Sequence, residues 1–457
     1  MIPVFFNILF FLIPLVFYKG TSELFEFNKI VTLYTFTALI VSAWALQSIR
    51  IKKFIFRKTI LDLPLIIYLS IYLISALFSI DPRTSWLGYY SRFNGGFISQ
   101  ICYAILYWAF VSNINAKQAL HSMYFMLLAT ILASILAIGE KFGIFGTCAL
   151  MGFGYKESCW VQDVQTRVFS TLGQPNWLAA MIVALIPLTW YFLISSQFSK
   201  SKSSPKIFWF LISILFFVTL LFTKSRSGLL AFGIEAIIFW GLFFYKEKLK
   251  YLKEFLIFFF ATLVLFISVW KLNSVHITPN PVPTGPVLES GGTESGTIRK
   301  FVWIGAVNVF LHYPIFGSGP ETFAFSYPMF KTVESNLTSE WDFIYNKAHN
   351  EFLNYLANTG ILGFSAYLFL IFYSIVVLWK SKNFALLSGY VAILITNFFG
   401  FSVVPVSLLF YLFPAVAIAF SSEDTVISYN SKKINTNQKL FMILVLLTTL
   451  YTLYVIR

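Results

Sequence analysis

Apolar runs of nearly 20 residues recur from one end of the chain to the other. Such a run is the length that a helix needs to cross the hydrocarbon core of a bilayer. The runs lack the alternation of barrel strands, and lipid leaves backbone groups no partner outside a helix or a closed barrel. The sequence therefore predicts an all-α, polytopic membrane helix bundle of about 12–13 spans. Their centres are Leu9, Leu39, Tyr68, Ala104, Ile131, Ala184, Leu215, Glu235, Leu265, Leu368, Ile393, Pro414 and Leu446.

The composition excludes most other classes of protein. Apolar residues make up 58% of the 457 residues and charged residues 11%, against roughly 45–50% and 25% in soluble domains. A soluble enzyme, a disordered chain and a disulfide-stapled scaffold are therefore ruled out. The formal charge of +14 is explained by basic loops beside a membrane, so we predict no nucleic-acid partner.

The basic residues also predict an orientation. Of the 33 lysines and arginines, 18 fall in one set of short connections, such as Arg50–Lys58 and Lys246–Lys253. Short connections rich in positive charge face the cytoplasm. The amino terminus is then inside, and an odd number of spans places Arg457 outside. The first apolar run, Met1–Tyr18, lacks a basic leader and a cleavage site, so we expect a retained span.

Three regions follow from this pattern. Residues 1–272 are predicted to hold the amino-terminal spans, residues 273–351 one long outer loop, and residues 352–457 the remaining spans. A loop of that length is usually functional or disordered. Within it, Thr297–His312 is predicted as a surface helix with Ile298, Val302, Ala306 and Phe310 on one face.

No pattern calls for a metal ion or an organic cofactor. Nucleotide-binding, zinc-protease and serine-hydrolase motifs are absent, and the outer carboxylates do not cluster. Cys148 and Cys159 share one outer loop, where a bridge is chemically permitted. Spacing alone leaves that pairing open.

Positively charged side chains recur in the connections predicted to lie outside. Arg226 and Lys224 lie in a short turn between two spans, and Arg167 lies at the mouth of another. Arg299 begins the surface helix, with Trp303 one turn later on the same face. Arginine binds phosphate oxygens in pairs and stays charged at any relevant pH. Together these residues predict a site for a membrane-tethered diphosphate.

His349 is the candidate reactive residue. It stands where the long loop enters a span, near cations and a helix amino terminus, and both disfavour the imidazolium form. A neutral imidazole can take a proton from an acceptor hydroxyl as that hydroxyl attacks. We therefore predict a general base at this position.

Simpler explanations exist for each of these residues. Arg226 and Lys224 could extend to the interface from their helix ends, and Arg299 could pair with a carboxylate or a lipid phosphate. His349 could cap a helix or pack in a loop. Three candidate supporting residues have equally simple roles as helix caps or interfacial anchors: Asn176, Asn350 and Trp303.

Taken in order, several segments resemble the O-antigen ligase and O-antigen polymerase superfamily. Each is weak alone, and their order makes the set specific. The resemblance covers about Glu23 to Phe420 and is strongest between Arg167 and Gly363. The matching segments are Arg167 with Ser170–Asn176, Ser225–Gly228, Ile298-Arg299 with Trp303, Tyr313–Gly319, and Ala348–Leu353 with Thr359-Gly360.

The resemblance implies metal-independent transfer of a glycan from undecaprenyl diphosphate to a hydroxyl, outside the bacterial cytoplasmic (inner) membrane. Arg226 and Arg299 would then hold the diphosphate, with Arg167 as a third cation, and His349 would activate the acceptor. The acceptor would be lipid A core in lipopolysaccharide biosynthesis, a repeat unit in polysaccharide polymerisation, or a protein serine. The extra final span departs from a twelve-span ligase plan and leaves the acceptor class open.

Two rival classes remain at this point. A transporter or flippase for a lipid-linked glycan would use Glu235, deep in a span, as a relay. Inverted repeats would favour a transporter, and the sequence shows none, whereas the long outer loop favours the enzyme. A structural scaffold would leave the outer arginines and His349 scattered and solvated.

Overall fold

A computed structural model describes residues 1–152, 164–194, 205–275, 293–421 and 426–433, with 436, 438–440 and 443. The helices of the first half are α1 (Ile2–Leu15), α2 (Glu26–Ile51), α3 (Asp62–Leu77), α4 (Pro82–Leu87), α5 (Phe97–Asn113), α6 (Ala116–Phe142), α7 (Thr147–Leu150) and α8 (Pro175–Ile194). Those of the second half are α9 (Pro205–Thr223), α10 (Arg226–Glu247), α11 (Leu252–Val275), α12 (Ser295–His312), α13 (Phe323–Phe330), α14 (Glu351–Lys380), α15 (Phe384–Phe398) and α16 (Val404–Phe420).

The predicted all-α membrane bundle is confirmed. Seven of the described helices are long and apolar enough to cross a membrane, and five shorter apolar helices accompany them. Each coincides with one of the predicted runs. The thirteenth run, centred on Leu446, lies outside the described residues.

Helix α8 forms the centre of the bundle and α11 its periphery. The apolar window of α8 is 94% buried and that of α11 only 11%. A helix that is apolar on all sides can be buried against protein, or it can face lipid. Both occur here. Short capped turns join neighbouring helices: Asn115 caps α6, Ser225 caps α10 and Asn383 caps α15 through bonds from backbone N–H groups.

The loops that join the helices fall into two groups, one on each face of the bundle, and contacts between loops show which of them share a face. On the basic face, Lys206 pairs with Glu254 at 3.0 Å, and the Lys246 ammonium lies 5.9 Å from the Phe384 ring. On the opposite face, here called the loop face, the backbone N–H of Ile80 donates to Ser318 at 2.9 Å. This division of the loops into two faces agrees with the alternation of inside and outside connections that the basic residues predict.

A two-stranded ribbon on the basic face was not predicted from the sequence. Strand β1 (Lys53–Thr59) pairs antiparallel with β2 (Val426–Lys433). Phe54 and Phe56 of β1 stack on Trp44, with ring centroids 5.2 and 6.4 Å away. The partners lie hundreds of residues apart, and a short basic segment carries little strand signal by itself.

The long loop forms a second small core on the loop face. Helix α12 lies where the sequence predicts one. Its buried residues are Ile298, Val302, Gly305, Ala306 and Val309, whereas Phe310 is only half-buried. Phe323, Tyr327 and Tyr345 pack against this helix, together with Ala357 of α14. The described part of the loop is therefore an ordered unit docked on α14.

Helix α14 is interrupted where the long loop meets it. Gly360 has φ 64°, and a Cβ atom there would lie 2.3 Å from the carbonyl oxygen of Ile315. The backbone N–H groups of Ser318 and Ile361 donate across this contact to Ala357 and Pro314, at 3.1 and 2.9 Å. Glycine is needed because of both the backbone conformation and the close approach. The contact holds the long loop against α14 between Ala357 and Ile361.

Candidate functional site

A cavity of about 750 Å³ opens on the loop face between α10 and α12. Leu353 and Phe399 also line it. Most of the polar side chains in the lining are cations, and the rest of the lining is mostly apolar. The charged and aromatic side chains that line it are Arg226, Arg299, Lys300 and Trp303.

Arg226 reaches the cavity from the first turn of α10. The Ser225 hydroxyl accepts from the Gly228 N–H at 3.2 Å and caps the helix. The Arg226 side chain is 95% exposed, and its Nη1 lies 3.8 Å from Oε1 of Glu294. An exposed pair of this kind contributes little stability, so the guanidinium is free to exchange that partner for a ligand.

Arg299 and Trp303 lie one turn apart on α12 and line the same cavity. Burial lowers the pKa of Arg299, yet an arginine remains charged at neutral pH. The Nε1 of Trp303 is buried without a hydrogen-bond partner, and its ring lies 5.8 Å from that of Phe398. A buried donor without an acceptor is unusual in a folded protein and is available to a substrate oxygen.

His349 is fixed at the junction between the long loop and α14. Its backbone has φ 51°, a left-handed conformation that is uncommon for non-glycine residues. The flanking residues hold that conformation: the Ala348 N–H donates to Asn354 at 3.3 Å, and Asn350 accepts from the Leu353 N–H at 3.1 Å. Asn350 is therefore a helix cap that positions its neighbour.

The imidazole of His349 is neutral at physiological pH. Burial, the positive charge of Arg299 and, to a smaller extent, that of Arg92 together lower its pKa to about 4. Its ring packs edge-on against Tyr345 at 5.9 Å and Phe401 at 5.6 Å. The unprotonated form is the one that accepts a proton.

Arg167 does not line the cavity. Its Nε donates to the carbonyl of Thr223 at 3.1 Å, and its Nη2 donates to Oδ1 of Asn176 at 3.4 Å. Burial lowers the pKa of Arg167, and the charge of Arg299 adds to that effect. Arg167 and Asn176 thus brace the turn that presents Arg226.

Lys224 is in that turn, with φ 50°, and its side chain is exposed outside the cavity lining. Glu235 is also apart from the cavity. Its carboxylate is fully buried in α10, and neither oxygen has a hydrogen-bond partner. The structure therefore brings together Arg226, Arg299 and Trp303, and places His349 within electrostatic reach of Arg299.

Sequence reasoning missed Arg92. Its guanidinium carbon lies 5.0 Å from the Trp177 ring centroid and 5.3 Å from that of Phe401. Phe401 also contacts the His349 ring. The sequence feature that could have indicated Arg92 is an arginine among aromatic residues in the connection Ile80–Gly96, which is predicted to lie outside.

A second, polar cavity lies beside Asn354 of α14, with room for about 30 Å³. Lys347 and Glu321 form a buried ion pair in its wall, and Glu351 contributes a buried carboxylate. This space suits a water molecule rather than a sugar. Across the described residues, no group of three or more His, Cys, Asp or Glu side chains is placed to hold a metal ion.

Cys148 is buried in α7 and is disulfide-bonded, whereas Cys102 is a free thiol. Cys159 lies outside the described residues.

The fold and this site define a multi-pass, predominantly helical membrane protein with a cationic cavity and a neutral histidine on one face. Residues 210–368, about a third of the chain, match the family model described as O-antigen ligase. The matched segment contains Arg226, Arg299, Trp303 and His349. The resemblance to the O-antigen ligase family is thereby confirmed, and this family indicates glycosyl transfer. No curated protein matches the chain significantly.

Proposed function

We propose that this protein transfers a glycan from undecaprenyl diphosphate to the hydroxyl of an acceptor, with inversion at the anomeric carbon. The position of Arg299 carries the proposal. This residue lines the cavity with Arg226 and also acts electrostatically on His349. A diphosphate held by the two arginines would therefore place its sugar near the imidazole.

The cavity suits the head group of such a donor. Two arginines can bind diphosphate oxygens through charge-assisted hydrogen bonds. The Trp303 face offers a sugar a flat apolar surface, and its free Nε1–H offers a donor. Arg167 supports the turn of Arg226, and Lys224 adds positive charge at the entrance.

The hydrocarbon of the donor would lie along α10. A third cavity, of about 540 Å³, lies between α9, α10 and α11 and is lined almost entirely by apolar side chains. On α10 it extends from Leu229 to Phe244, about 22 Å at 1.5 Å per residue. Gly233 and Gly241 open it further, because no heavy atom lies within 4 Å of a Cβ placed at either position.

The chain's own residues supply the proton transfer and the charge stabilisation. His349 takes the proton of the acceptor hydroxyl while the hydroxyl oxygen bonds to the anomeric carbon. The bond from that carbon to the diphosphate oxygen breaks, and the electron pair leaves with the diphosphate. Arg226 and Arg299 stabilise the negative charge that develops there, an interaction that is often a large part of catalysis.

The loop face would then be the extracytoplasmic side of the bacterial inner membrane. The amino terminus would lie inside, residues 1–272 and 352–457 would form the membrane-embedded parts, and residues 273–351 would build the outer site. The basic loops on the other face support this orientation.

The test is a reconstituted reaction. Purified protein is supplied with a polyprenyl-diphosphate oligosaccharide and with lipid, glycan and protein acceptors, and the products are identified by mass. We expect a glycan on one acceptor and free polyprenyl diphosphate. A longer polyprenyl-linked chain would identify a polymerase, whereas a glycan on lipid or protein would identify a ligase or a protein oligosaccharyltransferase.

The matched variants are His349→Ala and His121→Ala, since His121 is exposed on a different helix. Loss of a general base lowers kcat by about 10²–10⁴-fold, so His349→Ala should lose turnover and still bind the donor. His121→Ala should behave as the wild type. Full turnover by His349→Ala would remove the proposed base, and no transfer by the wild type to any acceptor would contradict the proposed function.

A further inference from the structure

We propose that Arg92 is an anion-binding residue of the same site, whose free guanidinium edge takes an oxyanion of the substrate. The inference rests on the proposed function. Arg92 belongs to the connection between α4 and α5, outside the residues that match the family model.

Arg92 packs against two neighbouring aromatic rings. Its guanidinium carbon lies 5.0 Å from the Trp177 centroid and 5.3 Å from the Phe401 centroid, and the two rings are 6.0 Å apart at 66°. Such contacts stabilise a cation over the ring faces. They leave the in-plane N–H groups, which point along the edge of the guanidinium, without acceptors.

The hydrogen-bonding capacity of Arg92 is unused. Its Nη1 is buried and has no partner, and Arg92 forms no ion pair among the described residues. Glu26 is within electrostatic reach, but its Oε2 accepts from the Val404 N–H at 2.8 Å. A buried N–H group without an acceptor is unfavourable, and a substrate oxyanion would relieve it.

The position of Arg92 relates it to the reacting atoms. Phe401 contacts both Arg92 and His349, so the two side chains share one aromatic support. Lys347 adds a second positive charge over the same ring, at 5.9 Å, but Glu321 neutralises it. Arg92 is the unneutralised cation at Phe401.

The bound group is a phosphate or carboxylate oxyanion, which has two sources. One is the diphosphate of the donor, and the other is an acidic group on the acceptor. Arg92 does not line the cavity of Arg226 and Arg299. Its position is therefore compatible with an oxyanion from either the donor or the acceptor.

The test measures binding of inorganic pyrophosphate by calorimetry in the purified full chain. The variants are Arg92→Gln, Arg92→Lys and the matched control Arg83→Gln, since Arg83 is exposed in the preceding helix. We expect Arg92→Gln to weaken pyrophosphate binding at least tenfold, Arg92→Lys to lose less, and Arg83→Gln to stay within twofold. This result assigns Arg92 to the donor.

A second measurement tests whether Arg92 binds an acidic group on the acceptor. Arg92→Gln could leave pyrophosphate binding unchanged and raise the KM for an acceptor bearing a uronic acid at least tenfold. If the KM for a neutral acceptor is then unaffected, Arg92 binds the acceptor. If Arg92→Gln matches Arg83→Gln in both measurements, the inference is wrong while the proposed function stands. If the wild type binds no pyrophosphate and transfers no glycan, the proposed function fails first.

Discussion

Arg299 and His349 are coupled through charge. Arg299 is half-buried, which strengthens its field because less water screens it. That field helps to keep the His349 imidazole unprotonated, with a pKa of about 4. The same arginine lines the cavity where we propose that the diphosphate binds.

The pH dependence of transfer follows from this coupling. A base works in its neutral form, so kcat/KM should stay level as pH falls from neutral and should be lost only as pH falls through about 4. Arg299→Gln removes a like charge, so the pKa of His349 rises and the acid limb moves to higher pH. The variant should also lose about tenfold or more in kcat/KM, because it loses charged hydrogen bonds to the diphosphate.

The measurement is the pH profile of kcat/KM for the wild type and for Arg299→Gln, with Arg50→Gln on the basic face as control. An unshifted acid limb in Arg299→Gln would show that the two residues are not coupled.

At the scale of one element, α10 joins the cationic cavity to the apolar cavity beside α9 and α11. Gly233→Leu should fill the apolar cavity without disturbing the fold, because nothing lies within 4 Å of the Gly233 position. Each buried methylene contributes about 0.8 kcal/mol, so displacing two of them should raise the KM for a long polyprenyl donor about tenfold.

A short-chain donor, geranyl diphosphate linked to the same sugar, should be unaffected by Gly233→Leu. Gly233→Ala adds a single carbon and serves as the matched control. Equal KM changes for long and short donors would mean that the hydrocarbon lies elsewhere.

The kink in α14 depends on a single glycine. Gly360→Ala places a Cβ at 2.3 Å from the Ile315 oxygen, in a backbone with φ 64°. We expect a loss of about 1–3 kcal/mol in the free energy of unfolding, seen as a lower Tm in detergent. Gly241→Ala lies in open space in a helix and should be neutral or slightly stabilising. Equal Tm values for the two variants would contradict this role.

At the scale of the whole molecule, the two faces should lie on opposite sides of the membrane. Lys224→Cys and Lys246→Cys place exposed thiols on the loop face and the basic face. In intact cells, a membrane-impermeant maleimide should label Lys224→Cys and leave Lys246→Cys unlabelled until the cells are opened. The unsubstituted protein controls for native cysteines. The reverse labelling would invert the proposed orientation.

Pattern and charge were enough to predict the membrane class, the helix α12 and the short turn before Arg226, because each depends on residues close together in the chain. The β1–β2 ribbon was not predictable in this way, since its strands come from opposite ends of the chain. The simpler role of Asn350 as a helix cap was weighed from the sequence, and the bond to Leu353 shows it.

Sequence by itself determined where apolar runs can form spans and which connections carry the cations, since hydrophobic length and charge are properties of local composition. Only the tertiary structure decided that Arg226 and Arg299 line one cavity, that Arg167 does not, and that Arg92 and His349 both contact Phe401. The physical reason is that side-chain packing and burial depend on which distant helices meet, and those contacts set both the hydrogen-bond partners and the charge state of each group.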